Sequence, residues 1–426
     1  MKKNRWHVIG FGIVCVFSIL LFYNITMAGD AIKAGDIIGP HNWEKARGYV
    51  PEDILKEIKE GYSFKVTSEP MVAGSPGHMK ASRESRTKLT PDGGLEGYEG
   101  GIPFYPFNPK DKDAGIKAGW NIYRKYYGDD LIYGRLPNAE FITKEATDPD
   151  ILNYPTGRRY CIDKYGHERI SDIVVWEMQV AHSRVDSKLE PSLEKKLDDV
   201  NSYSSAMVTS PRDLAGTMTL STRYWDPKKE DDFFIYIPSL RRVRRLPTTQ
   251  RCATQTPADY TMDDRRGFSG KVPYFDWKIT GEGKCLVGRA SCVPTLHRNG
   301  KFLNVQKEWS LNDVYLLEHK PKDFYAKGYL VPKRVYWVDK NSFGLVYWSM
   351  YDKKGELWKN LGGAVVGVYR KGKGKAISHG ITGLFCHDMQ TNTATNVECH
   401  SSMNSGLDVG FFSLSSLVTT SRGQVR

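Results

Sequence analysis

The sequence predicts an α+β fold: a large curled antiparallel sheet, an incomplete barrel, with helices covering its concave face. From residue 171 onward, apolar and polar residues alternate with a period of two, which is typical of strands with one buried face. Short turn segments separate these runs, so consecutive strands are expected to pair. No strand–helix–strand alternation occurs, which argues against a parallel sheet. A sheet this wide tends to curl.

The composition is that of a folded, basic, non-polytopic protein. The chain has 426 residues, of which 40% are hydrophobic, and its formal net charge is +12. Its mean hydropathy of −0.48 excludes a polytopic membrane protein, and the hydrophobic content excludes a disordered chain. The positive charge suits either anionic lipid head groups or simple solubility. We find no nucleic-acid-binding motif and expect no nucleic-acid partner.

The first residues have the layout of a secretory signal peptide. Lys2, Lys3 and Arg5 precede a stretch without charge, residues 8–23, and small residues lead up to Ala28. We expect cleavage after Ala28 and a location in the periplasm. The alternative is an uncleaved inner-membrane anchor formed by residues 8–23, although this stretch is slightly short for a membrane span.

Six cysteines would remain after cleavage, and an even number in an exported chain predicts disulfides. Pairing between sequence neighbours gives the candidate disulfides Cys285–Cys292, Cys386–Cys399 and Cys161–Cys252. The competing interpretation is a metal site, because Cys386 and Cys399 are each followed by histidine. The Cys-x₂-Cys spacing of zinc sites is absent. We therefore expect no metal and no cofactor.

Two helices are expected in the first third of the chain. One begins at Pro51, with acidic residues in its first turn, and stops at Gly61. The other follows Asp113, carries aromatic residues on one face and ends at Gly128. The sequence as a whole is interpreted as four parts. These are a signal peptide (1–28), an N-terminal helix with an irregular Gly/Pro-rich segment (29–112), a carrier-like α+β domain (113–415) and a tail (416–426).

The remaining elements are mostly strands. In the first of them, Trp176 and Met178 point to one face of the sheet, and Glu177 and Gln179 point to the other. A charged helical stretch at 189–200 follows it. Strands are predicted at 172–185, 217–225, 233–237, 331–339, 343–351 and 356–369.

Signatures of catalysis are missing from the sequence. We find no Gly-x-Ser-x-Gly, no His-Glu-x-x-His, no P-loop and no dinucleotide fingerprint. The acidic pairs 231–232 and 263–264 lack the spaced oxygen ligands of a calcium loop, so we expect them to be solvated turns. The sequence therefore predicts a protein that is not an enzyme.

One segment, residues 241–245, carries four arginines around a valine. If it continues the strand that contains Tyr236, guanidinium groups would lie on both faces of the sheet. Unpaired charges cannot be buried without a large cost, so carboxylates such as Asp231 and Asp232, or an anionic ligand, would have to pair with them. The alternative is a solvated edge strand whose charges prevent sheet-to-sheet aggregation.

This segment and the one before it resemble the central motif of a known family, domain of unknown function 1329. The similar stretches are residues 223–232 and 236–246, and others agree in order at 98–104, 117–121, 263–278 and 334–358. The resemblance covers residues 90–415. It implies a periplasmic protein with a fold like that of the lipoprotein carriers, an incomplete antiparallel barrel wrapped over helices. Members of this family tend to accompany transporters of hydrophobic compounds, and the resemblance supplies no catalytic residues.

Our hypothesis is a periplasmic carrier or transport-accessory protein that holds a lipid or another hydrophobic or amphiphilic ligand in the sheet concavity. Its partner could be an envelope transporter or an outer-membrane protein. The main alternative is a non-catalytic interaction or structural module that docks on a membrane protein, and an enzyme acting on a lipid or glycan ranks third. The candidate ligand-binding residues are Arg241, Arg242, Arg244, Arg245, Trp176, Tyr224, Trp225 and Trp337.

Overall fold

The computed structural model describes most of the chain after the predicted signal peptide. The described residues are 32–68, 71–133, 141–143, 157–180, 183–189, 191–247, 251–252, 254, 258–289, 308–370, 376–398, 401–404 and 406–425. The predicted signal peptide and the alternative anchor lie outside them. None of the helices in these ranges is long and apolar enough to span a membrane.

The structure contains many strands and few helices. The strands are β1 (Ile37–Ile38), β2 (Phe64–Thr67), β3 (Lys88–Leu89), β4 (Leu95–Glu96), β5 (Asp130–Tyr133), β6 (Phe141–Thr143), β7 (Gly157–Ile162), β8 (Glu168–Gln179), β9 (Val200–Ser210), β10 (Met218–Tyr224), β11 (Asp232–Ile237), β12 (Arg242–Arg245), β13 (Phe275–Arg289), β14 (Glu308–Pro321), β15 (Lys333–Asp339), β16 (Leu345–Tyr351), β17 (Leu357–Arg370), β18 (Ala376–Asp388), β19 (Thr393–Glu398) and β20 (Ser401–Met403). The α-helices are α1 (Glu52–Lys59), α2 (Pro76–Glu84), α3 (Ala114–Tyr123), α4 (Pro191–Lys196), α5 (Asp323–Ala326) and α6 (Leu414–Val425).

Eighteen strands belong to one sheet. Its main series runs β12-β11-β10-β9-β8-β7-β19-β18-β17-β16-β15-β14-β13, and every neighbouring pair in it is antiparallel. Arg289 of β13 also pairs with Val365 of β17, although three strands separate β13 from β17 in the series. This pairing requires the sheet to curl. Among the described strands β12 pairs only with β11, so the sheet is incomplete. The predicted fold class is confirmed.

The two predicted helices form with small differences at their ends. Pro51 precedes α1 as its N-cap, because the helix proper begins at the next residue. Helix α3 follows Asp113 but ends at Tyr123, five residues before Gly128. The next residue, Arg124, caps α3, and its N–H donates to the carbonyl of Trp120. The end of α3 therefore places Arg124 and the residues after it in a loop against the sheet.

The arginine-rich segment is a separate strand and does not continue the strand before it. A short 3-10 turn, Pro238–Leu240, follows β11, and Arg241 then adopts a left-handed conformation with φ 50°. This turn makes β11 and β12 a hairpin, in which Tyr236 is opposite Val243. The turn breaks the alternation expected for one continuous strand. All four arginines of the segment are exposed.

Three large apolar clusters form most of the core of the described residues, beside a small one of Tyr126, Leu131 and Met403. The first surrounds α3 and strands β13–β17 and includes Phe275, and the second packs α1 against β13 and β14. The third covers one face of β8–β12 and contacts the C-terminal segment, residues 406–425. Because the third cluster includes Trp176 and Tyr224, it bears directly on the candidate site.

The predicted Cys161–Cys252 disulfide is wrong. Cys161 lies in β7 between β8 and β19, whereas the Cys252 sulfur accepts a hydrogen bond from the N–H of Leu330 at 3.4 Å. Burial raises the pKa of both thiols. The other predicted pairs, Cys285–Cys292 and Cys386–Cys399, each include a residue outside the described part of the chain.

Candidate functional site

The structure brings two of the predicted aromatic residues together on one face of β8–β11, which we call the aromatic face. It is formed by Trp176, Met178, Tyr203, Leu220, Tyr224 and Phe234. The C-terminal segment covers it. Phe411 lies 5.1 Å from the ring of Trp176, and Phe412 stacks on Tyr203 at 5.3 Å with an interplanar angle of 15°. The aromatic face is thus closed by a segment from the far end of the chain.

One predicted arginine lies at the rim of this face. The hydroxyl of Tyr224 donates to Asp232 at 2.7 Å, and the same carboxylate accepts from Arg245 at 2.6 Å. Arg245 is therefore linked to the aromatic face through the carboxylate of Asp232 and the hydroxyl of Tyr224. The exposed Arg241, Arg242 and Arg244 form no ion pair with any described residue.

The other two predicted tryptophans lie elsewhere. Trp337 packs against Tyr347 in the second cluster, with ring centroids 5.7 Å apart. Trp225 packs against Tyr98 at 5.8 Å and against the guanidinium of Arg124 at 4.2 Å. The eight predicted residues therefore do not form one site.

The opposite face of β8–β10 is polar and borders a cavity that sequence reasoning missed. Glu177 and Arg223 project from this face toward Tyr123 of α3 and toward residues 251–269. The enclosed volume is about 40 Å³, which holds a few water-sized groups. We call this cavity the arginine pocket, because Arg223, Arg251, Arg265 and Arg266 line it.

Buried carboxylates hold these arginines. Glu177 accepts from Arg265 and from Arg266, each at 2.5 Å. Burial alone would raise the pKa of Glu177, but the guanidinium groups of Arg266 and Arg265 outweigh burial and lower it. Such charge-assisted hydrogen bonds fix the positions of the guanidinium groups, so the pocket is a rigid, cationic surface.

The acidic pairs are part of this network and are not solvated turns as predicted. Asp231 lies 3.3 Å from Arg223 and 3.4 Å from Arg251, and Asp263 accepts from Arg251 at 2.8 Å. Asp231, Asp263 and Asp264 are buried, and only Asp232 of the two pairs stays partly exposed. The expectation fails because arginines remote in sequence compensate the loss of hydration.

A second cavity, of about 30 Å³, adjoins the arginine pocket. The two cavities share the lining residues Tyr123, Gln179 and Arg266. His78 and Arg124 line only the second cavity. No group of histidine, cysteine and carboxylate side chains among the described residues has the arrangement of a metal site.

His78 gives the fold a defined acid sensitivity. It is buried against Tyr126 at 5.1 Å, and its Nε2 has no hydrogen-bond partner among the described residues. Burial lowers the pKa of His78 to about 4, and the charge of Asp186 opposes this only in part. Only the folded state has this lowered pKa, so the unfolded chain binds a proton at His78 more readily. The contribution of neutral His78 to the free energy of unfolding is therefore complete above the ordinary pKa near 6.5 and is lost as the pH falls through 4.

Between pH 7 and pH 4 we therefore expect the free energy of unfolding to fall by about 3 kcal/mol less in the His78→Gln variant than in the wild type. Urea denaturation of both proteins at a series of pH values measures this difference. If the free energies of unfolding of the two proteins changed in parallel with pH, His78 would not be the source of the acid sensitivity.

One protein family matches the sequence of the chain. Residues 157–417 match the family described as protein of unknown function (DUF1329). No curated protein matches the chain. A putative outer membrane lipoprotein-sorting protein domain from Vibrio parahaemolyticus is 17% identical with a TM-score of 0.48, and the match covers 72% of this chain and 100% of that one.

Two further solved structures are similar. A DUF1329 family protein from Desulfovibrio piger is 18% identical with a TM-score of 0.48, covering 72% of this chain and 98% of that one. A LolA superfamily protein from Nitrosomonas europaea is 12% identical with a TM-score of 0.38, covering 66% and 93%. Because the family match alone spans more than half of the sequence, the chain belongs to the DUF1329 family of proteins.

Proposed function

We propose that this protein is a periplasmic carrier or transport-accessory protein that binds an amphiphilic ligand on the aromatic face. The observation that carries the proposal is the C-terminal segment, which packs on that face through Phe411 and Phe412. A ligand with an apolar chain takes the place of this segment on the aromatic face. The predicted signal peptide supports the periplasmic location.

The energetics favour such an exchange. Helix α6 has the sequence Leu-Ser-Ser-Leu-Val-Thr-Thr-Ser-Arg-Gly-Gln-Val, so most of its residues are polar or small. Among its described side chains Leu417 is a buried apolar residue, and Leu414 is 46% exposed. Burial of a ligand chain contributes about 0.8 kcal/mol per CH₂ group. A chain of about ten methylene groups therefore contributes about as much as the burial of Phe411, Phe412 and Leu417, which the ligand would displace.

Paired tryptophan variants test the proposal. We expect Trp176→Ala to weaken the binding of a fluorescent fatty acid by about tenfold or more, because it removes part of the aromatic face. Trp337→Ala is the matched control, since this tryptophan lies in the second cluster. Fluorescence titration gives both dissociation constants, and circular dichroism confirms that both variants are folded. Equal weakening in the two variants, or no binding by the wild type, would refute a site on the aromatic face.

The position of the ligand head group is tested in the same assay. Arg245 lies at the rim of the aromatic face, so we expect Arg245→Gln to weaken the binding of a fatty acid more than the binding of the corresponding fatty alcohol. Arg242→Gln removes another exposed arginine of β12, one that does not contact Asp232, and serves as the control. The same loss for the acid and the alcohol would rule out the contact with the head group.

A second candidate function is a non-catalytic module that docks on an envelope protein. The observation that favours it is β12, an exposed strand with three arginines that pairs only with β11 among the described strands. A strand of a partner protein can add to such an edge. Native mass spectrometry separates the two functions: a co-purifying amphiphile supports the carrier, whereas a ligand-free mass with no uptake of added fatty acid supports the docking module.

A further inference from the structure

Arg124 is a buried cation that forms no ion pair with a carboxylate of the described residues. Its side chain is only 5% exposed, and its Nε and Nη2 have no hydrogen-bond partner among the described residues. Three aromatic rings surround the guanidinium carbon, with centroids 5.0 Å away for Tyr98, 5.0 Å for Tyr123 and 4.2 Å for Trp225. Aromatic faces stabilise a cation but supply no hydrogen-bond acceptor. Two donor nitrogens of Arg124 are therefore left to bind an acceptor from outside the described residues.

The neighbouring charges leave the second cavity with an excess of positive charge. Lys125 is buried beside Arg124, and within the described part of the chain its ammonium group donates only to the carbonyl oxygens of Ile122 at 3.0 Å and Arg266 at 2.7 Å. Burial lowers the pKa of both Arg124 and Lys125. The guanidinium of Arg266 is bound to Glu177, which it shares with another arginine.

Asp129 is the carboxylate that lines this cavity, and its oxygens are already used. They accept from the backbone N–H groups of Val185 at 2.9 Å, Asp186 at 2.9 Å and Ser187 at 2.6 Å. Asp129 therefore holds the loop after β8 and does not pair with Arg124. His78, on the other wall, is neutral at pH 7, because its pKa is about 4.

From this geometry we infer that the second cavity is a binding site for one oxyanion group, a phosphate or a carboxylate, whose oxygens accept hydrogen bonds from Arg124. The volume of about 30 Å³ admits about two water-sized groups, so two oxygens of the anion fit inside it. The anion supplies the acceptors that the aromatic cage lacks, and arginine is the side chain best suited to bind oxyanions. The site lies on the side of β8 opposite the aromatic face and is independent of the proposed carrier function.

Calorimetric titration at constant ionic strength and pH 7 tests the site with two probes, inorganic phosphate and dihexanoyl phosphatidate. We expect one equivalent to bind to the wild type, and Arg124→Met to weaken binding by about tenfold or more. Arg242→Met removes the same charge from the exposed edge and keeps wild-type binding. Comparable affinity for both probes indicates a free anion as ligand, whereas binding of phosphatidate alone indicates the head group of a lipid.

Stability measurements keep the test decisive if the affinity of a variant cannot be measured. Because Arg124→Met removes a buried, uncompensated cation, the unfolding midpoint of this variant in buffer without phosphate or carboxylate ions should equal or exceed that of the wild type. Lys125→Met provides a second variant, which should also bind phosphate more weakly. The inference is overturned if the wild type binds neither probe, or if Arg124→Met retains wild-type affinity. Trp176→Ala should bind phosphate normally, which separates this site from the aromatic face.

Discussion

Replacing Arg334 with methionine should lower the free energy of unfolding by about 3–5 kcal/mol. Arg334 is completely buried in β15, and its Nη2 lies 3.2 Å from Asp264, which is also completely buried. Its Nη1 donates to the hydroxyl of Tyr329, which in turn donates to Asp263 at 3.0 Å. Methionine fills much of the volume but leaves Asp264 as a charge without its cation, and such a charge is expensive in a dry environment.

The control for this variant is an exposed ion pair on the same sheet. Lys284 and Asp313 lie 2.9 Å apart with side chains 53% and 60% exposed, so Lys284→Met should cost about 0–1 kcal/mol. Urea denaturation measures both variants. Adding Asp264→Asn to Arg334→Met should recover part of the loss, because it removes the uncompensated charge. A loss below about 1 kcal/mol in the single variant Arg334→Met would show that the pair does not stabilise the fold.

The sequence predicts the strands well where the signal is local. Strands β15, β16 and β17 match the predicted runs within a few residues, because alternation and the turn residues between them act over short distances. Trp176 and Glu177 also lie on opposite faces of β8 as predicted. Alternation therefore gives the two faces of a strand but does not reveal which parts of the chain cover each face.

The candidate site depends on contacts that no local pattern encodes. Glu177 and Arg265 are 88 residues apart in sequence, so their pairing follows only from the folded topology. The run Asp263-Asp264-Arg265-Arg266 was the one available signal, since adjacent opposite charges without a calcium spacing can indicate a buried ion network. The aromatic cage of Arg124 is equally non-local, because Tyr98 and Trp225 come from distant segments.

Gly115→Ala should lower the free energy of unfolding by about 1–3 kcal/mol, although alanine is the better helix former by about 1 kcal/mol. Helix α3 rests on β13 at this glycine. A Cβ atom there would lie 2.0 Å from the carbonyl oxygen of Trp277, 2.6 Å from its carbonyl carbon and 3.1 Å from the nitrogen of Lys278. These are backbone atoms of β13, which is hydrogen-bonded to β14 at this point, so the helix must move away from the sheet.

The matched control is Gly283→Ala in β13, where a Cβ would meet no atom within 4 Å. We expect this variant to be neutral or slightly stabilising, because alanine reduces the conformational entropy of the unfolded chain. Urea denaturation of both variants gives the sign of each effect. A stabilising Gly115→Ala would show that α3 tolerates a displacement from β13.

The displacement of α3 has a consequence at its other end. Tyr123 is the last residue of α3 and Arg124 caps it, so a shift of the helix moves both the guanidinium and one ring of its cage. Hydrogen bonding to an anion depends on donor position to within a fraction of an ångström. Gly115→Ala should therefore weaken phosphate binding as well as stability, while Gly283→Ala leaves both unchanged. Loss of stability with full phosphate affinity would mean that the loop after α3, and not the helix, positions Arg124.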